Sequence, residues 1–312
     1  MRIAIFGSGG VGGYFGGKLA HAGEDVTFIA RGEHLRTLRR DGLYVESVDG
    51  DFSVKPVKAH DDPAQIGQVD AVVVGLKAWQ VAEAAENMRP LVGEETCVLP
   101  LQNGVEAADQ LAAVLGADRV LGGLCYLVSF LVGPGLIRHA GMTPRVILGE
   151  LDNRSSARVR ALRDAFARSG IQAEIPPDIH SAVWSKFVFI SSLSGVGAVT
   201  RAPIGVVRSV PETRQMLHQA VEEVLRVADA RKVQLDPAAA ASTIETIDSL
   251  PSTATASMQR DIMEGRPSEL DSQTGAVVRM GREAGVVTPL NAFMYAALLP
   301  QEMRARGRIS YA

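Results

Sequence analysis

Short, unbroken apolar runs alternate with longer amphipathic stretches through the first half of the chain, which predicts strand and helix in turn. Ile3-Ala4-Ile5-Phe6 opens the series and Val26-Thr27-Phe28-Ile29-Ala30 follows. Ala71-Val72-Val73-Val74 and Cys97-Val98-Leu99-Pro100-Leu101 come later. Runs this brief and this apolar read as strands buried on both faces, as in a parallel sheet. The intervening spacing predicts helices from Tyr14 to Ala20, over 81–91 and over 105–115. Val120 to Phe130 reads as one long strand, Val146-Ile147-Leu148 as another, and 155–167 as a helix. Ile175-Pro176-Pro177 then breaks the pattern, because adjacent prolines favour extended backbone and remove donors. Only helical patterns follow. Their start signals are a capping box with proline at Ser209-Val210-Pro211-Glu212, then Asp236-Pro237 and Thr288-Pro289. The expectation is an α/β domain over 1–176 and an all-α domain over 177–312.

The first strand runs directly into Gly7-Ser8-Gly9-Gly10-Val11-Gly12, where Gly7, Gly9 and Gly12 fit G-x-G-x-x-G at a strand-to-helix turn. The first glycine of such a loop allows the turn and the second lets the backbone approach a pyrophosphate. The third lets the helix pack closely on the sheet. Free amides and the helix dipole at the turn then bind the anion. The expected fold is therefore a Rossmann-type doubly wound sheet that binds a dinucleotide. The second strand ends at Arg31, where an NAD site would place an acid for the ribose 2′-hydroxyl. An arginine there suits a 2′-phosphate, which its guanidinium can bind through two hydrogen bonds, so NADPH is favoured over NADH. Glu33 could take the ribose instead if the loop shifts.

Composition narrows the function classes. The 312 residues carry a formal net charge of −3, well dispersed, which argues against a nucleic-acid surface or a polybasic membrane anchor. No secretory leader pattern precedes the first strand, and no uninterrupted apolar run reaches the ~20 residues of a membrane span, so a cytoplasmic protein is expected. Cys97 and Cys125 lie in apolar runs and read as core thiols. The histidines show no ligand spacing, so no metal is expected.

Four further places carry candidate chemistry. Lys77 lies just past one buried strand and Asn103 past the next, and ligands of open α/β sheets lie outside such strand ends. Each also has a bland reading, as a surface lysine and an ordinary Asn-Gly turn. Lys186 sits in a helical stretch over 182–190, where its neighbours at three and four residues' spacing are Ala182, Val183, Phe189 and Ile190. An ammonium desolvated on that stripe has its pKa lowered, as suits a proton donor, although snorkelling at the stripe's edge is the alternative. Finally, Pro267 or Ser268 could start a helix with Glu269 in its first turn, where the dipole favours a carboxylate.

Taken together these residues resemble the ketopantoate reductase (2-dehydropantoate 2-reductase) family. The resemblance rests on the glycine loop, Lys77-Ala78-Trp79-Gln80, Gln102-Asn103-Gly104, Trp184-x-Lys186, Ser257-Met258-x-x-Asp261 and Arg266-Pro267-x-Glu269-x-Asp271. It covers nearly the whole chain in order. It implies an NADPH-binding Rossmann domain followed by a helical domain, and reduction of ketopantoate to pantoate in pantothenate biosynthesis. It implies that Lys186 is the general acid, that Asn103 bridges cofactor and substrate, and that Ser257 holds substrate. Glu269 would bond the nicotinamide ribose or the substrate hydroxyl, Lys77 would act on the cofactor side, and the Val128 backbone would meet the nicotinamide. The partner is a small 2-oxo acid, and a homodimer is compatible with the resemblance.

The chain also departs from the family. Where members carry substrate-contacting asparagines four and eight residues after the catalytic lysine, it has Ile190 and Ser194. Where the last motif closes with asparagine before glycine, it has Thr274-Gly275. Loss of hydrogen-bonding partners for a substrate hydroxyl removes a strong source of discrimination. Ser191, Ser192 or Ser194 could compensate. A paralogue reducing another 2-oxo acid is therefore the alternative, and a non-catalytic NADPH sensor a more distant one, since sensing requires neither Lys186 nor Glu269.

Overall fold

The computed structural model describes residues 1–310. The chain divides into two compact units, one made of Met1–Gln102 with Glu106–Ile179, the other of Asn103–Val105 with His180 onward.

In the first unit β1 (Arg2–Phe6) leads into α1 (Gly10–His21), β2 (Asp25–Ile29) and α2 (Gly32–Asp41), followed by β3 (Leu43–Ser47) and β4 (Phe52–Val54). Then come β5 (Lys58–His60), β6 (Val69–Val74), α3 (Val81–Ala84), β7 (Val92–Pro100) and α4 (Ala107–Leu115). The unit closes with β8 (Leu121–Tyr126), β9 (Ser129–Gly133), β10 (Leu136–His139), β11 (Arg145–Glu150), α5 (Ala157–Arg168) and β12 (Gln172–Glu174). Five of these strands form an all-parallel sheet in the order β5-β2-β1-β6-β7. The order reverses between β1 and β6, and such a switch point opens a crevice at the carboxyl ends of the strands. Alternation of side chains along β1 sends Ile3 and Ile5 into a core with Tyr14, Phe15 and Leu19 of α1, and with Phe166 of α5. Ala4 and Phe6 enter a second core with Val81, Met88 and Leu111 on the other face.

Several expected elements differ. Residues 81–91 are not one helix: α3 stops at Ala84 and a 3-10 stretch covers Glu86–Leu91, where Pro90 lacks the N–H that an α-helix would use. The expected strand from Val120 to Phe130 is two strands in two sheets. β8 joins β11 and β12, while β9 is the edge of a four-stranded sheet ordered β4-β3-β10-β9. Cys97 and Cys125 are buried and form no disulfide, and burial pushes the Cys97 thiol up to about 12.

The second unit is helical: α6 (Ile179–Thr200), α7 (Ile204–Ser209), α8 (Pro211–Ala230), α9 (Ala239–Ser249), α10 (Ser257–Met263), α11 (Thr274–Glu283) and α12 (Pro289–Ala305). α6 is its central helix. Trp184, Phe187 and Val188 pack on Val221 and Val224 of α8 and on Val277 of α11. Leu193 and Val196 pack on Val207, Leu217 and Met294. By length and mean hydropathy (1.4) α6 could cross a bilayer, yet 61% of its apolar window is buried inside the protein. The expected capping box at Ser209 is absent. Ser209 ends α7, with its hydroxyl donating back to the Val206 carbonyl, and α8 starts directly on Pro211. Asp236 instead accepts from the Ala238 amide two residues on, and α9 begins at Ala239. The buried Glu223 carboxylate of α8 accepts from the Leu290 and Asn291 amides and fixes the start of α12, where a negative charge meets the positive end of the dipole.

Candidate active site

The glycine loop lies at the switch point of the parallel sheet. Gly7 has φ +97°, a conformation that an L side chain rarely adopts. A Cβ on Gly12 would lie 2.0 Å from the Gly7 carbonyl oxygen, and one on Gly75, just after β6, would lie 2.7 Å from both Gly12 Cα and that oxygen. The three backbones therefore touch, and α1 starts directly over the β1–β6 junction. α1 has no side-chain cap at its N-terminus, so no capping side chain accepts from the amides of its first turn. The Ser8 hydroxyl is buried and donates to the Ile29 carbonyl at 3.2 Å. Gly10 abuts the Ser129 carbonyl, where a Cβ would come within 2.6 Å, and Val11 is half-buried in the first turn.

A cavity of about 300 Å³ opens beside the loop, lined by Ser8, Gly9, Ala30, Arg31, His34 and Gln80 among others. Arg31 is exposed at its rim, at the N-cap position of α2. Glu33, the alternative ribose ligand, is held by Arg36 through two N–H donors at 2.8 and 2.6 Å. These features fit a dinucleotide with an additional phosphate on its adenosine: uncapped amides at a helix start, a neighbouring cavity and a guanidinium at the rim.

His34 was not singled out from the sequence. Its Nε2–H donates to the Ser8 carbonyl at 3.0 Å, and its Nδ1 accepts from the Gly135 amide at 2.9 Å in the β9–β10 turn. Its spacing of one helical turn after Arg31 is the only local signal. Lys77 is exposed past β6, with its ammonium 5.7 Å from the centre of the Trp79 ring, and its amide donates to the Gln80 side chain. Val128 lies in the link between β8 and β9, and its carbonyl accepts from the Ala140 amide at 2.9 Å.

In the second unit the Asn103 amide donates to Glu269 Oε2 at 3.0 Å, and Gln273 donates to the same oxygen at 3.2 Å. The first-turn position expected for Glu269 is not found. It lies in a turn before α11, because Ser268 is engaged elsewhere: its amide and hydroxyl both donate to the buried Glu302 carboxylate, and its carbonyl accepts from Arg306. Glu302 in turn accepts from Arg306 at 2.6 Å. Other signature residues hold the same turn. Arg266 donates two bonds to Asp261, and Asp271 accepts from the Tyr295 hydroxyl and Arg279.

Lys186 lies on α6 with Ala182, Val183, Phe189 and Ile190 beside it, but the whole stripe is half-buried rather than enclosed. The fully buried faces belong to Trp184, Phe187, Val188 and Ser191, which carry the core of the unit. Ser257 is half-buried in the first turn of α10. Ile190 packs on the apolar cluster around Leu193 and Val196. Ser194 is fully buried, and neither its hydroxyl nor that of Thr274 has a protein partner. Thr274 lies beside α6, with its Oγ1 3.3 Å from where a Gly195 Cβ would be. Ser191 donates to the Phe187 carbonyl and is occupied by its own helix.

A parallel-sheet unit with this loop and an α-helical unit carrying an amide–carboxylate pair define a dinucleotide-dependent oxidoreductase. Family models agree. "Ketopantoate reductase PanE/ApbA" matches residues 3–153 and "Ketopantoate reductase PanE/ApbA C terminal" matches residues 178–302. The chain belongs to the ketopantoate reductase family. It is 31% identical over 300 residues to the uncharacterized oxidoreductase YkpB of Bacillus subtilis, covering 96% of this chain and 98% of that one. It is 32% identical over 310 residues to a 2-dehydropantoate 2-reductase of Mesorhizobium japonicum, covering 93% and 94%. Among solved structures, D-mandelate dehydrogenase with NADH and anilino(oxo)acetate superposes with a TM-score of 0.88 at 25% identity, covering 98% of this chain and 99% of that one.

Proposed function

We propose that this protein reduces a 2-oxo acid to a 2-hydroxy acid with NADPH, with 2-dehydropantoate the first substrate to consider. The observation that supports this reading most is the uncapped start of α1 beside a cavity rimmed by Arg31. Bound NADPH supplies a hydride to the ketone carbon. Gly7, Ser8, Gly9, Gly10, Val11 and Gly12 bind its pyrophosphate, Arg31 its 2′-phosphate, and Lys77 and the Val128 backbone act on the cofactor side. Lys186, as an ammonium, stabilises the charge that develops on the ketone oxygen and then protonates it. Ser257 and Asn103 hold the substrate. Glu269, oriented by Asn103 and Gln273, takes a hydroxyl of the ribose or the substrate.

A second reading has a specific support. Ile190 packs into an apolar cluster at a position where an asparagine would bind a substrate hydroxyl, and D-mandelate dehydrogenase, with its aromatic ligand, shares the fold. A bulkier or less hydroxylated 2-oxo acid suits that surface. NADPH oxidation measured with a panel of 2-oxo acids distinguishes the readings. Preference for ketopantoate supports the first, preference for an unhydroxylated acid that Ile190→Asn reverses supports the second, and no turnover with any acid refutes both.

Two variants test the assigned roles. Charged hydrogen bonds are worth roughly 1.5–3 kcal/mol each, so Arg31→Ala weakens NADPH by about tenfold or more and leaves NADH little changed in calorimetric titration. Equal losses for the two cofactors would remove Arg31 from the assignment. Lys186→Ala lowers the rate of NADPH oxidation by about 10²–10⁴ with cofactor affinity retained, the range for a general acid. Near-normal turnover in that variant would exclude Lys186 as the donor.

A further inference from the structure

The Ser8 carbonyl belongs to the peptide that precedes Gly9, and in a planar trans peptide the C=O and the following N–H point in opposite directions. A group that fixes the Ser8 carbonyl therefore also fixes the Gly9 amide. His34 is that group, and it is braced from behind. Its Nδ1 accepts from Gly135, which has φ +70° and whose carbonyl accepts from Tyr44, so the imidazole spans the distance from the glycine loop to the second sheet. Both bonds exist together only for the neutral ring protonated at Nε2, because a protonated Nδ1 cannot accept. We propose that His34 is a positioning residue for the dinucleotide: in its neutral form it holds the Ser8–Gly9 peptide with the Gly9 amide turned away from the imidazole, and protonation of Nδ1 releases the β9–β10 brace and weakens cofactor binding.

The surroundings favour the neutral form. Burial holds the His34 pKa below its usual value, opposed in part by the Ser8 bond. Arg31 stands at the N-cap of α2, which itself carries Glu33 paired with Arg36, Arg40 paired with Asp41, and Arg39 bonded to the Ala59 carbonyl, and Glu83 of α3 lines the same cavity. The residues of the glycine loop and of the Gly133-Pro134-Gly135 turn carry no charge, and Arg138 farther along β10 is paired with Glu46. Because the folded pKa lies below the ordinary one, the contribution of His34 is complete above that ordinary value and is lost as the pH falls. The inference rests on the cofactor reading given above.

NADPH is titrated by its fluorescence against the full chain from about pH 8 to about pH 5, with His34→Gln and His34→Ala in parallel. Glutamine can donate to Ser8 and accept from Gly135 but does not titrate. The 2′-phosphate of NADPH itself titrates at about pH 6, and comparing the proteins with one another removes that contribution. The expected result is that His34→Gln binds as wild type at the alkaline end, and that wild type then loses about tenfold more affinity than His34→Gln on acidification, the loss of about one hydrogen bond. His34→Ala should be about tenfold weaker than wild type already at the alkaline end. Superimposed wild-type and Gln profiles, or an Ala variant that binds as wild type, would overturn the proposal while leaving the cofactor reading intact. Failure of wild type to bind NADPH at any pH overturns both. Imidazole nitrogen NMR of the ligand-free protein gives an independent readout: the Nε2–H tautomer is expected, and the Nδ1–H tautomer would sink the proposal even if a variant failed to fold.

Discussion

Three stretches of backbone meet at Gly7, Gly12 and Gly75 with no room for a side chain between them, and the first unit is organised around that contact. A methyl group on Gly12 would overlap the Gly7 carbonyl, so α1 can sit this low on the sheet only with glycine there. That depth places the first turn of α1 at the reversal of strand order between β1 and β6, where an open α/β sheet presents its ligand crevice. It also brings Gly10 against Ser129, which couples the start of α1 to the edge strand of the four-stranded sheet. His34 reaches the same region from the opposite side, between Ser8 and the β9–β10 turn. The loop is thus held by backbone contact and side-chain hydrogen bonds before any ligand arrives, which lowers the ordering cost of binding.

The second unit solves a different problem, that of holding a carboxylate in an irregular turn. Glu269 has no helix dipole to stabilise it. Instead the turn is tied at both ends, by Glu302 and Arg306 on Ser268 and by Tyr295 on Asp271. Breaking the buried Glu302–Ser268 bonds would leave the carboxylate inside the protein with Arg306 as its remaining donor, which is costly. Much of the signature over residues 261–271 is accordingly scaffold, and within it Glu269 is held by Asn103 and Gln273.

What was legible in the sequence was local. The glycine loop, the β1–α1 handover and the apolar strands β6 and β7 depend on residues close in the chain, and periodicity and turn chemistry reveal them. The four-stranded sheet was not legible, because its strands are only three to five residues long and the pairing that joins its two hairpins, β3 with β10, spans about ninety residues of sequence. The helix expected at Ser268 failed for a related reason: the residue that captures its amide is Glu302, thirty-four positions later. Helical spacing marks the apolar neighbours of Lys186 as a stripe but does not say which face carries the core, and that stripe is half-buried. His34 carried no signal at all beyond its place in the first turns of α2.

The central claim is that the loop is shaped for a ligand and not only for the fold, and Gly9 separates the two. Its backbone is extended, with φ −72°, and a Cβ there would meet nothing within 4 Å. The fold therefore has no need of glycine at this position, whereas a pyrophosphate lying on the backbone does. Calorimetric titration of Gly9→Ala with NADPH, alongside its urea unfolding curve, is the most direct measurement. The account predicts stability within about 0.5 kcal/mol of wild type together with a loss of NADPH affinity of about tenfold or more. Unchanged affinity in a fully folded Gly9→Ala protein would contradict it.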